Sequence, residues 1–316
     1  MSVLSGTSDG VYRSSSVAFD DVELVLNSGV TRRVRTFGRH AFAASSTGLY
    51  RSVDGGLTWD NLGVPRTEVY SVVRSPDKTR LYAGTHPAHL YVSTDDGETW
   101  TELNGFQTLP SRNQWHTPRH RNAAHVRSLG VHPAAPERVI AGVEVGGVHI
   151  SNDSGETWSE RREIRQRPND LQYDVHHVLV LGADEYVISC GGGLYRTHDT
   201  GRSWKRLDAD FDRPYFQEAI ADRNRLYAAG QTLPPTLPTG NTSERETEAA
   251  LFVSTDGETV EMVSDPGAPI EFISAWTLAD GHVLAGTTGG RVLSREDGSW
   301  TTCGRTPSWI RSLAVV

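Results

Sequence analysis

Histidine and arginine crowd one stretch of this chain, Trp115-His116-Thr117-Pro118-Arg119-His120-Arg121-Asn122-Ala123-Ala124-His125. Imidazoles titrate near neutral pH and bind divalent metals, so His116, His120 and His125 are candidates for proton transfer or for a metal site, with Glu144 as an oxygen ligand. Their spacing is that of a loop and fits no ligand motif. His176 and Tyr215, each at the start of an apolar run, extend the proton-transfer set. A second chemistry is anion binding. Arg35, Arg127 and Arg311 follow an apolar residue at what reads as the same position of three strands, and guanidinium forks suit carboxylate or phosphate. Tyr70, Arg119, Gln217 and Trp309 would complete the ligand contacts. The same arginines have a structural use as well, tying neighbouring strands to carbonyls or to Glu68, Asp174 and Glu271.

These residues need a scaffold, and one eight-residue turn supplies its repeat. Ser151-Asn152-Asp153-Ser154-Gly155-Glu156-Thr157-Trp158 recurs as Ser93–Trp100, Ser52–Trp59 and Thr197–Trp204, with worn copies at Ser254–Thr259 and Asp297–Trp300. The Asp can accept N–H bonds within its own turn, the Gly two residues on can take positive φ, and the Trp can anchor the turn in an apolar layer. A calcium loop would need more carboxylates and a twelve-residue spacing.

The turn is the Asp-box, and the chain resembles the Asp-box (bacterial neuraminidase repeat) propellers, a group that includes sialidases, xyloglucanases, sortilin-type receptors and photosystem assembly factors. The resemblance implies an all-β, seven-bladed β-propeller with Asp-box hairpins. It also invites a glycosidase reading. Tyr70 or Tyr215 with Glu68 or Glu218 would be the pieces of a sialidase-like set, yet the Arg-Ile-Pro signature of sialidases is absent and the blade count differs.

Each repeat reads as four strands, with the box between the third and fourth. Six repeats are complete, at 30–66, 67–110, 124–165, 174–213, 214–269 and 270–306. Residues 1–29 hold only three strands. Trp309-Ile310-Arg311-Ser312-Leu313-Ala314-Val315 matches His125-Val126-Arg127-Ser128-Leu129-Gly130-Val131, so residues 307–316 supply the missing inner strand and close the ring. Box aspartates lie about 41 residues apart in the regular repeats, whereas Asp95 to Asp153 and Asp199 to Asp256 are longer by roughly sixteen. The insertions Gly105 to Ala124, Ile164 to Asp174 and Gln231 to Ala249 all fall in connections that emerge opposite the boxes, and they mark that face as the functional one. The Pro-rich part of the last, from Thr232 to Asn241, reads as a lid.

Composition narrows the function classes. A formal charge of −8 speaks against nucleic-acid binding. Lys appears only at Lys78 and Lys205, which with the acidic balance fits a GC-rich, salt-loving host. No run approaches a membrane span, no leader is recognisable, and Cys190 and Cys303 fall in different repeats, so the expectation is a cytoplasmic monomer without disulfides. Its partner would be a small anionic ligand or glycan handled by a hydrolase or lyase, with a divalent metal as the candidate cofactor. The alternative is an acidic protein partner docked on a non-catalytic platform.

Overall fold

The computed structural model describes residues 1–117, 120–161, 174–232, 248–266 and 271–316. Seven four-stranded antiparallel sheets form the chain, which makes it a seven-bladed β-propeller. Among the described residues no helix is long and apolar enough to cross a membrane.

The ring closes as the repeat pattern requires. The inner strand of the first blade is Ile310–Val315, paired antiparallel to Val3–Thr7 with Val3 opposite Val315 and Leu4 opposite Ala314. Backbone bonds between Ser2 and Val316 extend this seam in both directions. Closure leaves no blade with a free inner edge.

Blades adhere through apolar layers. The second strand of each blade is covered on both faces, as in Leu81–Thr85 and Tyr186–Cys190, where every residue is buried. Close stacking explains the Ala-Gly endings of these strands: a Cβ on Gly84 would lie 2.6 Å from Val126 of the next blade. Ser71, Ser128 and Ser312 add hydrogen bonds from one inner strand to the backbone of the next, to Val126, Val178 and Val34.

The repeated turns are built by short-range bonds. In Ser151–Trp158 the Asp153 carboxylate accepts from the Thr157 amide at 2.9 Å and from the Ser151 hydroxyl at 2.7 Å, while Gly155 takes φ +101°. The Trp158 indole donates to the Gly155 carbonyl at 2.8 Å and packs on the apolar layer between the third and fourth blades. Asp95 makes the same bonds, and the Thr99 hydroxyl and amide with Ser93 hold its carboxyl at about 2. Gly155 also abuts Leu103 of the preceding blade, so the turn staples two blades.

The first insertion folds on itself. A short helix at Asn104–Gln107 buries Phe106 against Trp115 and Trp158, with ring centroids 5.2 Å apart in both pairs. Trp115 is anchored by its indole N–H to Ser111 Oγ and lies over His149. The other two insertions lie largely outside the described residues, and so does the Pro-rich segment read as a lid.

Candidate functional site

The site is made by a backbone irregularity that recurs in every blade. Each inner strand slips register near its start, and the residues displaced there are Arg32, Tyr70, Arg127, His176, Gln217 with Glu218, Ser274 and Arg311; the strand of the fourth blade slips a second time at Val131. Bulges of this kind re-aim side chains. Here they collect a polar ring at the channel end opposite the Asp turns. Contacts across the axis support this placement: Arg127 in the fourth blade donates to Gln217 Oε1 in the sixth at 2.5 Å, and Arg33 in the second pairs with Glu218 in the sixth. The Arg32 guanidinium lies 4.5 Å over the Tyr70 ring, and that of Arg311 lies 3.9 Å over Trp309.

Register changes one sequence expectation. Arg35 is not the counterpart of Arg127 and Arg311; Arg32 is. Thr31 faces Ser45 and Arg33 faces Ala44, so the bulge falls on Arg32, and Arg35 sits farther along the strand on the other side of the Arg33–Glu218 pair. An extra residue in a strand shifts alternation by one, which a comparison of residue types does not register.

Glu144 is the hub of the ring. It ends the second strand of the fourth blade, is 3% exposed, and carries His120 Nε2 at 2.8 Å on one oxygen and His125 Nε2 at 2.9 Å on the other. Arg127 donates to that second oxygen too. Burial opposes its charge, but Arg127, His125 and His120 together hold the carboxyl well below the usual range. His125 is pushed down to about 4 by burial against the pull of Glu144, and His176 to about 3 by burial and by Arg127. Both imidazoles are therefore neutral at pH 7. The Tyr70 ring stacks 4.1 Å from His125, and the Tyr215 ring lies 4.8 Å from His176. Gln217 links the two halves by donating to the Tyr215 hydroxyl at 2.9 Å.

The insertion delivers His120 under backbone strain. His120, Arg121 and Asn122 all have positive φ, an arrangement costly for residues with a Cβ. Two bonds hold it: the His120 carbonyl accepts from His86 Nε2 at 2.8 Å, and Arg121 donates at 2.6 Å to Glu68. His86, Glu68 and Arg121 line a cavity of about 400 Å³ beside the ring.

Of the residues named from sequence, the structure brings together His120, His125, Glu144, Arg127, His176, Tyr215, Gln217 and Tyr70, with Trp309 and Arg311 on the same ring. His116 is exposed and stands outside the cluster, so the metal set His116, His120 and His125 is not assembled; Arg119 lies outside the described residues. Two other groups have metal-like geometry, with ligand atoms within 4.8 Å of one another: His120, His125 and Glu144, and Glu144, Asp174 and His176. In the second, His176 Nδ1 is fixed on the Phe216 carbonyl at 2.5 Å and buried Nε2 has no hydrogen-bond partner, the orientation a ligating imidazole takes. Arg32 escaped the sequence reading because only the register reveals its role.

Comparisons with known proteins agree on the fold. The oligoxyloglucan-reducing end-specific xyloglucanase of Emericella nidulans is 28% identical over 204 residues, which cover 60% of this chain and 22% of that protein. A xyloglucanase of Hypocrea jecorina is 36% identical over 76 residues, 22% of this chain and 9% of that one. The chain thus spans under a quarter of the length of either relative. The crystal structure of the GH74 xyloglucanase from Xanthomonas campestris superposes with a TM-score of 0.70 at 15% identity, covering 96% of this chain and 52% of that one. YCF48 bound to D1 peptide gives 0.58 at 15%, covering 96% and 84%. At this identity both structures speak for the propeller fold alone. The DUF6242 beta propeller domain matches residues 5–263, and the chain belongs to that family.

Proposed function

We propose that the chain binds a small carboxylate-bearing ligand, such as an acidic sugar, in the bulge ring, and acts on it as a hydrolase or lyase with a divalent metal at Glu144 and His176. One observation carries the reading: Arg32 and Arg311 point into the ring with no carboxylate partner among the described residues. Among the described residues Arg311 donates to the Ser8 hydroxyl alone, at 3.2 Å, and burial with the nearby Arg32 and Arg127 pushes it down to about 9. Cations crowded in this way are relieved by an anion. Around that position stand a neutral His176 and the Tyr215 phenol, groups suited to proton transfer, and the two carboxylate–histidine groups suited to a metal.

The test is calorimetric titration with oligo-uronates, citrate and phosphate, together with elemental analysis of untagged protein. Arg32→Gln and Arg311→Gln should each weaken anion binding by roughly tenfold or more, and His176→Ala should lower bound metal. Full affinity in the double arginine variant sinks the reading. If no ligand or metal binds the parent protein, an acidic protein partner on a non-catalytic face becomes the better account.

The xyloglucanase relatives favour a second reading, a glycoside hydrolase. Two-carboxylate hydrolysis needs one carboxyl kept protonated near neutral pH. Around the mouth, however, Glu144 is tied to Arg127, Glu218 to Arg33, Glu68 to Arg121 and Glu271 to Arg291. Release of reducing sugar from xyloglucan, lost in Glu144→Gln, would restore this reading over the first.

A further inference from the structure

The channel has a second chamber, and it is unlike the first. At the end that carries the Asp turns, the inner strands line an open cavity of about 500 Å³. Its walls are apolar, with Phe37, Val131, Leu179, Ile220, Leu278 and Val315 each from a different blade. Its floor is polar and consists of Arg35, His177 and Glu218, with Trp276 beside them. Glu218 is already neutralised by Arg33, so Arg35 leaves one uncompensated positive charge at the bottom of an apolar well.

Hydrogen bonding leaves that charge unserved. Among the described residues Arg35 has one side-chain hydrogen-bond contact, His177 Nε2 at 3.4 Å; His177 Nδ1 lies 3.4 Å from the Ala219 amide. A neutral imidazole has one lone pair and cannot accept from both. If Nδ1 accepts from Ala219, Nε2 carries a proton and faces Arg35 as a second donor. His177 is 6% exposed, so its ring meets little water. The same burial pushes Arg35 down to about 10. Two donors and the Arg35 charge face a cavity that also carries Thr36, Thr277 and the paired Glu218 among its apolar residues.

We propose that this chamber is a binding site for a monocarboxylate with a short apolar body, its carboxylate on Arg35 and His177 Nε2–H and its body against the Leu179, Ile220 and Leu278 wall. The cavity has the size of ordinary small-molecule sites, and apolar walls with a few convergent polar groups are their usual composition. A multiply charged anion fits poorly, because only one net positive charge meets it. The inference does not depend on the mouth, which is separated from this chamber by the Arg33–Glu218 pair.

The probe is octanoate, titrated calorimetrically into the full chain, with octanol, acetate and citrate as comparisons. Octanoate should bind, and octanol and acetate should each bind at least about tenfold more weakly, since each lacks one half of the recognition. Arg35→Met should weaken octanoate by roughly tenfold or more while keeping a cooperative melt. Ile220→Trp, which fills the chamber from its wall, should abolish octanoate binding without touching the charge. Octanoate binding unchanged in both variants, or no octanoate binding by the parent chain, overturns the proposal. Equal binding of octanol would overturn it too, by removing the role of Arg35.

Discussion

The two ends of one channel are lined by the same seven strands and have opposite chemistry. Toward the insertions each strand bulges and presents Arg32, Tyr70, Arg127, His176, Gln217, Ser274 or Arg311. A few residues farther along, the strands turn Leu179, Ile220, Leu278 and Val315 inward in regular pairing, and Val131 at a second register shift. At the mouth Arg127, His120 and His125 share Glu144 while Arg32 and Arg311 have no carboxylate partner among the described residues; at the far end Arg35 stands alone in that condition, without a Glu144 beside it. Strand geometry therefore decides polarity here as much as composition does. A bulge costs ladder bonds, and it is found seven times at the level where the long loops arrive.

Removing the scaffold breaks both ends together and should have the largest effect. A chain ending at Thr306 loses the strand Ile310–Val315 and with it the seam to Val3–Thr7. It should show no cooperative melt by circular dichroism; a melt like that of the full chain would mean that closure is dispensable.

The mouth should be the more fragile end. Glu144→Ala strips Arg127, His120 and His125 of their shared acceptor and should cost about 3–5 kcal/mol by urea denaturation. Acid should find the same weakness. His125 ordinarily titrates at 6.5 and is lowered to about 4 in the fold, so its contribution is complete above pH 6.5 and is lost as pH falls toward 4. The loss from His125 alone is roughly 3 kcal/mol, and His176 adds to it in the same direction. Stability that is flat from pH 7 to pH 4 would contradict the buried neutral imidazoles. Asp95, lowered from 3.8 to about 2, extends the decline below pH 4.

Smaller effects belong to the far end. Gly155→Ala places a Cβ at φ +101° and 2.7 Å from Leu103, and should lower stability by about 1–2 kcal/mol in a thermal melt. Arg35→Met should change stability least, by less than about 1 kcal/mol or in the stabilising direction, because it removes a buried charge without an ionic partner. A large loss in Arg35→Met would show that the two ends are held by the same kind of bond.

Much of this was legible before any coordinates. The turn Ser151–Trp158 and its copies carry their hydrogen bonds within eight residues, so their residue types suffice to identify them. The match of Trp309–Val315 to His125–Val131 is likewise local, and it places the closing strand in the first blade. His125, Arg127, His176 and Gln217 were readable as channel residues because they start inner strands.

What the chain alone could not reveal depends on register and on contacts across the axis. Arg35 and Arg32 are three residues apart in one strand and similar in type, yet a bulge sends Arg32 to the mouth ring and leaves Arg35 in the apolar chamber. His116 and His120 stand in one loop, but the left-handed turn at His120 to Asn122 and the bond to His86 bring only His120 onto Glu144. Alternation, turn chemistry and repeat length act over a few residues, so sequence by itself determined the blades and their order. Glu144 meets Arg127 through the bulged register of one hairpin, and Glu218 meets Arg33 only because the ring brings the sixth blade against the second, so tertiary structure decided which charges are answered and which are left for a ligand.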